Sequence, residues 1–429
     1  MTTELAAFFA KLFSRFSQKV LKRGGETWPG EIALKLDPNI GHKLQSCFEK
    51  VIYVIGTNGK TSTTKLLVQV LKSQGKNVIT NPSGANQLNG IISNILIQKE
   101  YSSDTKYIGV FEVDENYFPS VAAVFPPNIV IVLNLFRDQM DRYGEVASIT
   151  EKWKQVFVSN PKAVLITNAS DPGIYALGEE LGETVKKYYG VPDVFMQKDF
   201  KVFGDYLYCP RCGTKLTYTG IYVSHMGSWA CPKGDFKRPK MFTYNEKRLK
   251  DLSSLPNYLV INSEAVYLAL GEIGLSQESL FTALAKWEPA FGRGESISEG
   301  GKRYIFYLGK NPSSWTVVFE SLKELNKDTL LVLGLNNRDP DGHDVSWIWD
   351  TEINSKFKIQ NSKIFVYGDR AYDMAVRLKV EGIRTINLTP EVTAAVREIR
   401  KAQENNVVIL ANYSALLEIR RLITGKAIL

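Results

Sequence analysis

VIYVIGTNGKTSTTKLLVQVL, residues Val51–Leu71, sets a short apolar strand before a glycine-rich turn and an amphipathic helix that opens on Lys60, Thr61 and Ser62. Gly56 and Gly59 let backbone N–H groups converge on an anion, the helix N-terminus adds partial positive charge, and Lys60 reaches toward the outer phosphates. Thr61 is then placed to hold Mg²⁺. The spacing is not the full G-x-x-x-x-G-K-[ST], because Val54 stands where the first glycine belongs. The usable turn is Gly56-Thr57-Asn58-Gly59-Lys60-Thr61. A plain strand-to-helix turn leaves the run of hydroxyl residues after Lys60 unexplained; nucleotide binding explains it.

A second piece is KYIGVFEVDENYF, where an apolar run from Ile108 to Val113 carries Glu112 near its end and leads into Asp114 and Glu115. Open α/β sheets bind ligands at the C-terminal ends of their strands, and Mg²⁺ shared with phosphates needs one or two carboxylates there. Beside the glycine loop, Glu112 is the expected metal ligand; without that loop the acidic cluster reads as a solvated turn.

The 429 residues suffice for two or three domains. With 44% hydrophobic and 23% charged residues the chain reads as a globular protein. No apolar run approaches the roughly 18 residues of a membrane span, and no cleavable signal pattern is present, so a cytoplasmic protein is expected. The net charge of +8 suits nucleic acid, an anionic membrane face or phosphorylated substrates without choosing among them. ELAAFFAKLFSRFSQKVLKRGG, near the start, puts Leu5, Phe8, Phe9, Leu12, Phe13 and Phe16 on one helical face with Lys11, Arg15 and Lys19 among the polar positions. Such a helix lies on a membrane surface or docks on its own domain.

From about residue 50 to 170 strands and helices alternate: Val51 to Ile55, a helix from Thr61, Asn77 to Thr80, Tyr107 to Val113, Ile129 to Leu133 and Val164 to Thr167. This is the pattern of a mainly parallel sheet with helices on both faces. After Lys201 the texture shifts to short β-like pieces with cysteines, and helical pattern returns at Ser263 to Leu270 and Ser279 to Lys286. GRGESISEGGKRYIFYLGKNPSS reads as a boundary followed by a new strand. Beyond it Thr329 to Leu333, Lys363 to Val366, Val407 to Leu410 and a final helix to about Ile423 predict a second parallel sheet.

CPRCGTKLTYTGIYVSHMGSWACPKGDFKRP holds Cys209, Cys212 and Cys231. Two C-x-x-C knuckles around a hairpin make a tetrahedral zinc ribbon. Here Gly234 stands where the fourth cysteine belongs. Either His225 or Asp235 supplies the last ligand of a Zn²⁺ site, or the hairpin keeps the ribbon shape without metal. Cys47 reads as a lone buried thiol.

Together these pieces resemble the Mur ligase superfamily, and within it the MurT subunits of lipid II isoglutaminyl synthases. GTNGKTST is similar to that family's phosphate loop, PSGAN to its loop after the next strand, and LNLFRDQMDRYGE to the stretch after the strand Ile129 to Leu133. FGRGE, the interrupted ribbon and DPDGHDVSWIWD are the more specific marks, and the missing fourth cysteine and KNPSSW are departures. The resemblance implies an α/β fold: an N-terminal amphipathic segment over 1–45, a central P-loop domain over 46–294 with a zinc-ribbon-like insert at about 201–240, and a Rossmann-like C-terminal domain over 295–429. It also implies ATP and Mg²⁺. Thr57, Asn58, Gly59, Lys60, Thr61 and Ser62 would wrap the phosphates, Thr61 and Glu112 would hold Mg²⁺, and Asn86 would lie in the phosphate region. Asn262, near the adenine, and Arg293 would contact nucleotide. The reaction implied is phosphorylation of the α-carboxyl of D-glutamate in the lipid II stem peptide, followed by attack of ammonia on the acyl phosphate.

The source of ammonia is also a question for the residues. A glutaminase needs an activated cysteine with a histidine partner, and the chain offers only His42, His225 and His343. The ribbon claims three cysteines, and Cys47, in QSCFE, lacks the glycines of a nucleophile turn. Ammonia is expected from another chain. The resemblance implies a GatD-type glutamine amidotransferase partner, to whose histidine this chain contributes an aspartate, Asp344 first and Asp350 second. Without the resemblance, that stretch reads as an exposed acidic loop over buried tryptophans. Two other functions stay open: a Mur- or folylpolyglutamate-type ligase that adds an amino acid without a glutaminase, and a nucleotide-gated binding module. Nucleic acid is not an expected partner, because the insert lacks aromatics interleaved with Lys and Arg beyond FKRPK.

Overall fold

The computed structural model describes residues 27–425 except 82–84, 101–103, 137–145, 199–201, 203, 290, 323–327, 352, 354–362 and 384–386. The amphipathic segment before residue 27, the PSG of PSGAN and most of LNLFRDQMDRYGE lie outside the described residues. The chain divides into two compact units, one within residues 1–136 and 145–287, the other within 288–429. No described helix is long and apolar enough to cross a membrane.

In the first unit, α1 (Trp28–Leu36) and α2 (Ile40–Gln45) lead into β1 (Phe48–Ile55), α3 (Lys60–Ser73), β2 (Val78–Thr80), α4 (Leu88–Gln98) and β3 (Tyr107–Glu112). Then come α5 (Phe118–Val124), β4 (Ile129–Val132), α6 (Val146–Ser159), β5 (Val164–Asn168), α7 (Pro172–Glu180) and β6 (Lys186–Tyr189). Among the described residues these strands form a six-stranded sheet in the order β2-β3-β1-β4-β5-β6, every pair parallel. Val51–Ile55 and Ile129–Leu133 are fully buried, as strands covered on both faces must be. In α3, Leu66, Leu67, Val70 and Leu71 turn inward while Lys65 and Lys72 stay exposed, the 3.6-residue period read from the sequence.

Val54 stands opposite Glu112, and Ile55 opposite Val132. The C-terminal ends of β1, β3 and β4 are therefore level, where the sheet order changes direction and ligands bind. The unit continues with the hairpin β7 (Thr217–Val223) and β8 (Met226–Ala230), then α8 (Glu246–Asp251), α9 (Asn257–Glu272) and α10 (Glu278–Ala285).

The second unit contains β9 (Arg293–Glu299), β10 (Lys302–Leu308), α11 (Pro312–Ser321), β11 (Thr329–Gly334), β12 (Lys363–Tyr367), α12 (Ala371–Val380), β13 (Asn387–Thr389), α13 (Val392–Lys401), β14 (Asn406–Ala411) and α14 (Tyr413–Thr424). Its sheet runs β13-β12-β11-β14-β10-β9. The sheet is parallel as expected except at one edge, where β9 pairs antiparallel with β10. Gly300 and Gly301, both at positive φ (58° and 79°), make the two-residue turn of that hairpin. Such a turn matches the twist of the flanking strands and favours glycine at both positions.

Candidate active site

The phosphate loop is clamped from behind by the segment that follows β4. Asn134 Oδ1 accepts from Asn58 N at 2.8 Å, Asn134 Nδ2 donates to Asn58 O at 2.9 Å, and Asn134 O accepts from Thr57 N at 3.1 Å. Thr57 Oγ1 accepts from Phe136 N at 3.0 Å and donates to Phe136 O at 3.2 Å. Gly59, at φ 91°, turns the chain into α3 in a left-handed conformation, and a Cβ there would collide with the Asn262 amide. The first-turn N–H groups of α3 have no intrahelical acceptors and face the loop's mouth, with the helix dipole behind them. The Ser62 hydroxyl is buried and lacks a hydrogen-bond partner among the described residues. An orphaned hydroxyl beside free helix N–H groups fits a phosphate.

The carboxylates after β3 divide the work. Lys60 is buried; its ammonium donates to the Gly56 and Thr57 carbonyls and pairs with Glu115 Oε2 at 3.2 Å. Glu112 is also buried, but none of the described residues bonds its carboxylate. Only its backbone is fixed, by Asn81, which accepts from Glu112 N at 3.0 Å and donates to Glu112 O at 2.7 Å. Left without a protein partner at the strand's end, its oxygens are available to a hard cation, so the donor set fits Mg²⁺. Asn86 is half-buried and its carbonyl accepts from Asp114 N at 3.1 Å. Asn262, on α9, packs against Gly59 at the phosphate end of the loop. Arg293 opens β9 in the other unit.

The ribbon gathers Cys209, Cys212, Cys231 and Asp235, with one ligand atom from each within 4.8 Å of all the others. In the first knuckle Gly213 N donates to Cys209 O, closing the turn four residues on; in the second Gly234 N donates to Cys231 O, three residues on. Both knuckles close over the same span, Cys209 N donating to Thr214 O and Cys231 N to Phe236 O, and Asp235 lies beside the thiols. Cys212 Sγ is 3.5 Å from Cys231 Sγ. Hydrogen bonding from Thr214 brings the Cys212 thiol down to about 7, while burial pushes Cys231 up to about 12. Three sulfurs and a carboxylate at this spacing suit a tetrahedral Zn²⁺. His225 stands apart from the group: it is fully buried with Nε2 3.2 Å from Asp171 Oδ2.

Cys47 is buried, and that burial pushes its thiol up to about 11, the opposite of an activated nucleophile. In the second unit Asp344 is exposed, and its two oxygens accept from Ser346 N at 2.8 Å and Ser346 Oγ at 2.9 Å. Asp341 is buried against Ser414 N at 2.9 Å and the Ser414 hydroxyl, which anchors the loop at the ends of β11 and β14. Asp350 is exposed and ends a 3₁₀ turn over Ser346–Asp350 that is pinned by the buried Ile348.

The Mur ligase middle domain matches residues 54–195, and the MurT ligase C-terminal domain matches residues 308–416. The MurT subunit of lipid II isoglutaminyl synthase (glutamine-hydrolyzing) of Staphylococcus aureus (strain COL) is 30% identical over 431 residues, covering 96% of this chain and 95% of its own length. This chain belongs to the MurT family.

The MurT subunit of Streptococcus pneumoniae (strain ATCC BAA-255 / R6) is likewise 30% identical, with 97% of both chains covered. Among solved structures the fold resembles a pseudomurein peptide ligase type C from Methanothermus fervidus (TM-score 0.64, 18% identity, 89% of this chain and 80% of that one). It also resembles the MurF ligase of Thermotoga maritima in complex with ADP (TM-score 0.58, 16% identity, 91% and 83%). In this MurT-family chain the sequence reading passed over Asn134 and Asn81, which shape the site without being reactive. Their one signal is position, an Asn immediately after an apolar strand in LNLF and ITNP.

Proposed function

We propose that this chain is the ligase subunit of a lipid II isoglutaminyl synthase. It phosphorylates the α-carboxyl of D-glutamate in the lipid II stem peptide with ATP, and ammonia from a GatD-type glutaminase then gives D-isoglutamine. The observation that carries the reading is the pairing of a phosphate loop and an unpaired buried carboxylate, Glu112, with a chain whose one cysteine outside the ribbon is a buried, inert thiol. Activation chemistry has a site here; glutamine hydrolysis does not.

Lys60, Ser62 and the α3 N-terminus hold the β- and γ-phosphates, and Asn262 backs the loop. Thr61 and Glu112 are the residues that would hold Mg²⁺, which when bound screens the charge of the transferred phosphoryl group. A carboxylate cannot be displaced by an amine; phosphorylation gives it a leaving group, and the protein contributes position and charge. Asp344, already oriented by Ser346, is the aspartate that would fix the tautomer of a partner's histidine. Cys209, Cys212, Cys231 and Asp235 would hold a structural Zn²⁺. Asn86 completes the nucleotide contacts of the first unit.

The test separates the two halves of the reaction. With ATP, Mg²⁺, lipid II and free ammonium the chain should release ADP and convert the carboxyl to a carboxamide, read by mass. In the two-chain complex Asp344→Asn should cut glutamine-dependent amidation by about 10³- to 10⁴-fold, as loss of a triad aspartate does, while ammonium-dependent amidation persists. Equal failure with both nitrogen sources would assign Asp344 to the ligase site or the fold. Absence of ATP turnover with every acceptor would sink the ligase reading itself.

A further inference from the structure

His225 sits at the tip of the β7–β8 hairpin, next to Ser224, the one non-glycine at positive φ (56°) among the described residues. Such a conformation persists where the surroundings over-determine it. Ser224 Oγ, 3.5 Å from His225 Nδ1, and Tyr206 flank the ring from the insert, while Asp171 and Phe136 reach it from the connections of the nucleotide-binding sheet. His225 Nε2 lies 3.2 Å from Asp171 Oδ2, with neither side chain exposed, a close electrostatic approach whose alignment is not that of a hydrogen bond. Its ring packs on Phe136 at 5.3 Å and edge-on against Tyr206 at 5.5 Å. Two residues beyond, Gly227 N donates to Ser170 O at 2.9 Å.

Two of the ring's contacts, Asp171 and Phe136, lead to the phosphate loop. Asp171 caps α7, with Oδ1 accepting from Gly173 N at 2.9 Å and Ile174 N at 3.2 Å, and its other oxygen accepts from Leu135 N at 3.2 Å. Phe136 exchanges two hydrogen bonds with Thr57, and Asn134, one residue before Leu135, holds Asn58. The segment 134–136 is therefore gripped from one side by the phosphate loop and from the other by Asp171 and His225.

We propose that His225 is a positioning residue for the nucleotide: it ties the cysteine ribbon to the segment that shapes the phosphate loop, and so couples ribbon and ATP site. The tie is short. Asp171 alone stands between the imidazole and Leu135, and Phe136, on which the ring packs, is itself part of the segment that clamps Thr57 and Asn58. Binding free energies are reciprocal, so a nucleotide that orders the loop also steadies the hairpin tip.

The test uses the full chain with His225→Phe, which keeps the ring contacts and removes both nitrogens, and His225→Gln, which keeps a polar group. Amide hydrogen exchange at Thr57–Asn58 and Leu135–Phe136 should quicken by about tenfold in His225→Phe, the scale of one buried polar contact. Mg-ADP should bind about tenfold more weakly by titration, with a matching rise in KM for ATP, little change in kcat, and near-native thermal unfolding. His225→Gln should recover part of the affinity. In the wild-type chain, Mg-ADP should slow exchange at Ser224–Gly227 as well as in the loop. Unchanged loop exchange in a folded His225→Phe, or a loop protected by Mg-ADP while Ser224–Gly227 is not, would overturn the proposal. The affinity arm rests on the ATP reading of the site; if Mg-ADP leaves Thr57–Thr63 unprotected, that reading fails, and the ligand-free exchange comparison still decides the role of His225.

Discussion

Replacing Glu264 by Gln should change how stability depends on pH. Glu264 lies on α9, two residues after Asn262, and is wholly buried. One of its oxygens accepts from Tyr244 N at 2.9 Å; Oε2 has no partner among the described residues. Burial pushes its carboxyl up from 4.5 to about 9. Folded, it keeps a proton that the unfolded chain has released, so above about pH 4.5 each rise of one unit costs the folded state about 1.4 kcal/mol, until about pH 9. Between pH 6 and pH 8 the expected loss is about 3 kcal/mol, or roughly 6 to 12 °C in the melting of a domain this size. Gln cannot titrate, so Glu264→Gln should lose that slope and be the more stable protein at pH 8, while the two converge toward pH 5. Denaturant titrations of both proteins across this range subtract out every other titrating group. Parallel curves would refute the account, because they would mean the carboxyl titrates alike in both states.

Glu112→Gln should leave melting unchanged or slightly higher, since it discharges an unpaired buried carboxylate, yet raise the Mg²⁺ needed for half-maximal ATP turnover by about ten- to a hundredfold; an unaltered Mg²⁺ dependence would remove Glu112 from the metal site. Asp235→Ala should lower the zinc retained after dialysis against a mild chelator well below that of the wild-type chain, with His225→Phe retaining the wild-type amount. Equal zinc in the Asp235 variant would free that carboxylate from coordination. Lys60→Ala should abolish ATP turnover, and melting should fall because Glu115 loses its partner; Lys60→Ala with Glu115→Gln should recover the melting temperature without recovering turnover.

The phosphate loop was legible because its signals are local: glycines where the chain must turn left-handed, a lysine and hydroxyls where a helix begins. The buried parallel strands were legible as unbroken apolar runs. β6 was not, because Lys-Lys-Tyr-Tyr at the sheet edge carries no such run. β9 is polar for the same reason, and its hairpin was announced only by Gly300-Gly301. Asn134 and Glu115 neighbour residues the sequence singled out, but their tasks depend on the register between strands, which no window of sequence contains. The choice between Asp235 and His225 turned on where the hairpin tip packs: His225 is buried against Asp171, while Asp235 lies with the thiols. Glu264 looks like any helical glutamate until α9 is seen to be buried around it.

The resting partnership of Lys60 bears on what the loop will accept. Its ammonium is already neutralised by Glu115 and coordinated by the Gly56 and Thr57 carbonyls, so the loop does not present a bare cation to an arriving anion. An incoming phosphate must displace a carboxylate already in place, and a single inorganic phosphate gives too few new bonds to recompense that exchange in a buried setting. A triphosphate arriving with its cation engages several helix N–H groups at once. It also leaves the displaced Glu115 near a new positive charge instead of stranded. On the proposed function, exchange of counter-ions at Lys60 would favour a Mg²⁺-bound triphosphate over a simple anion.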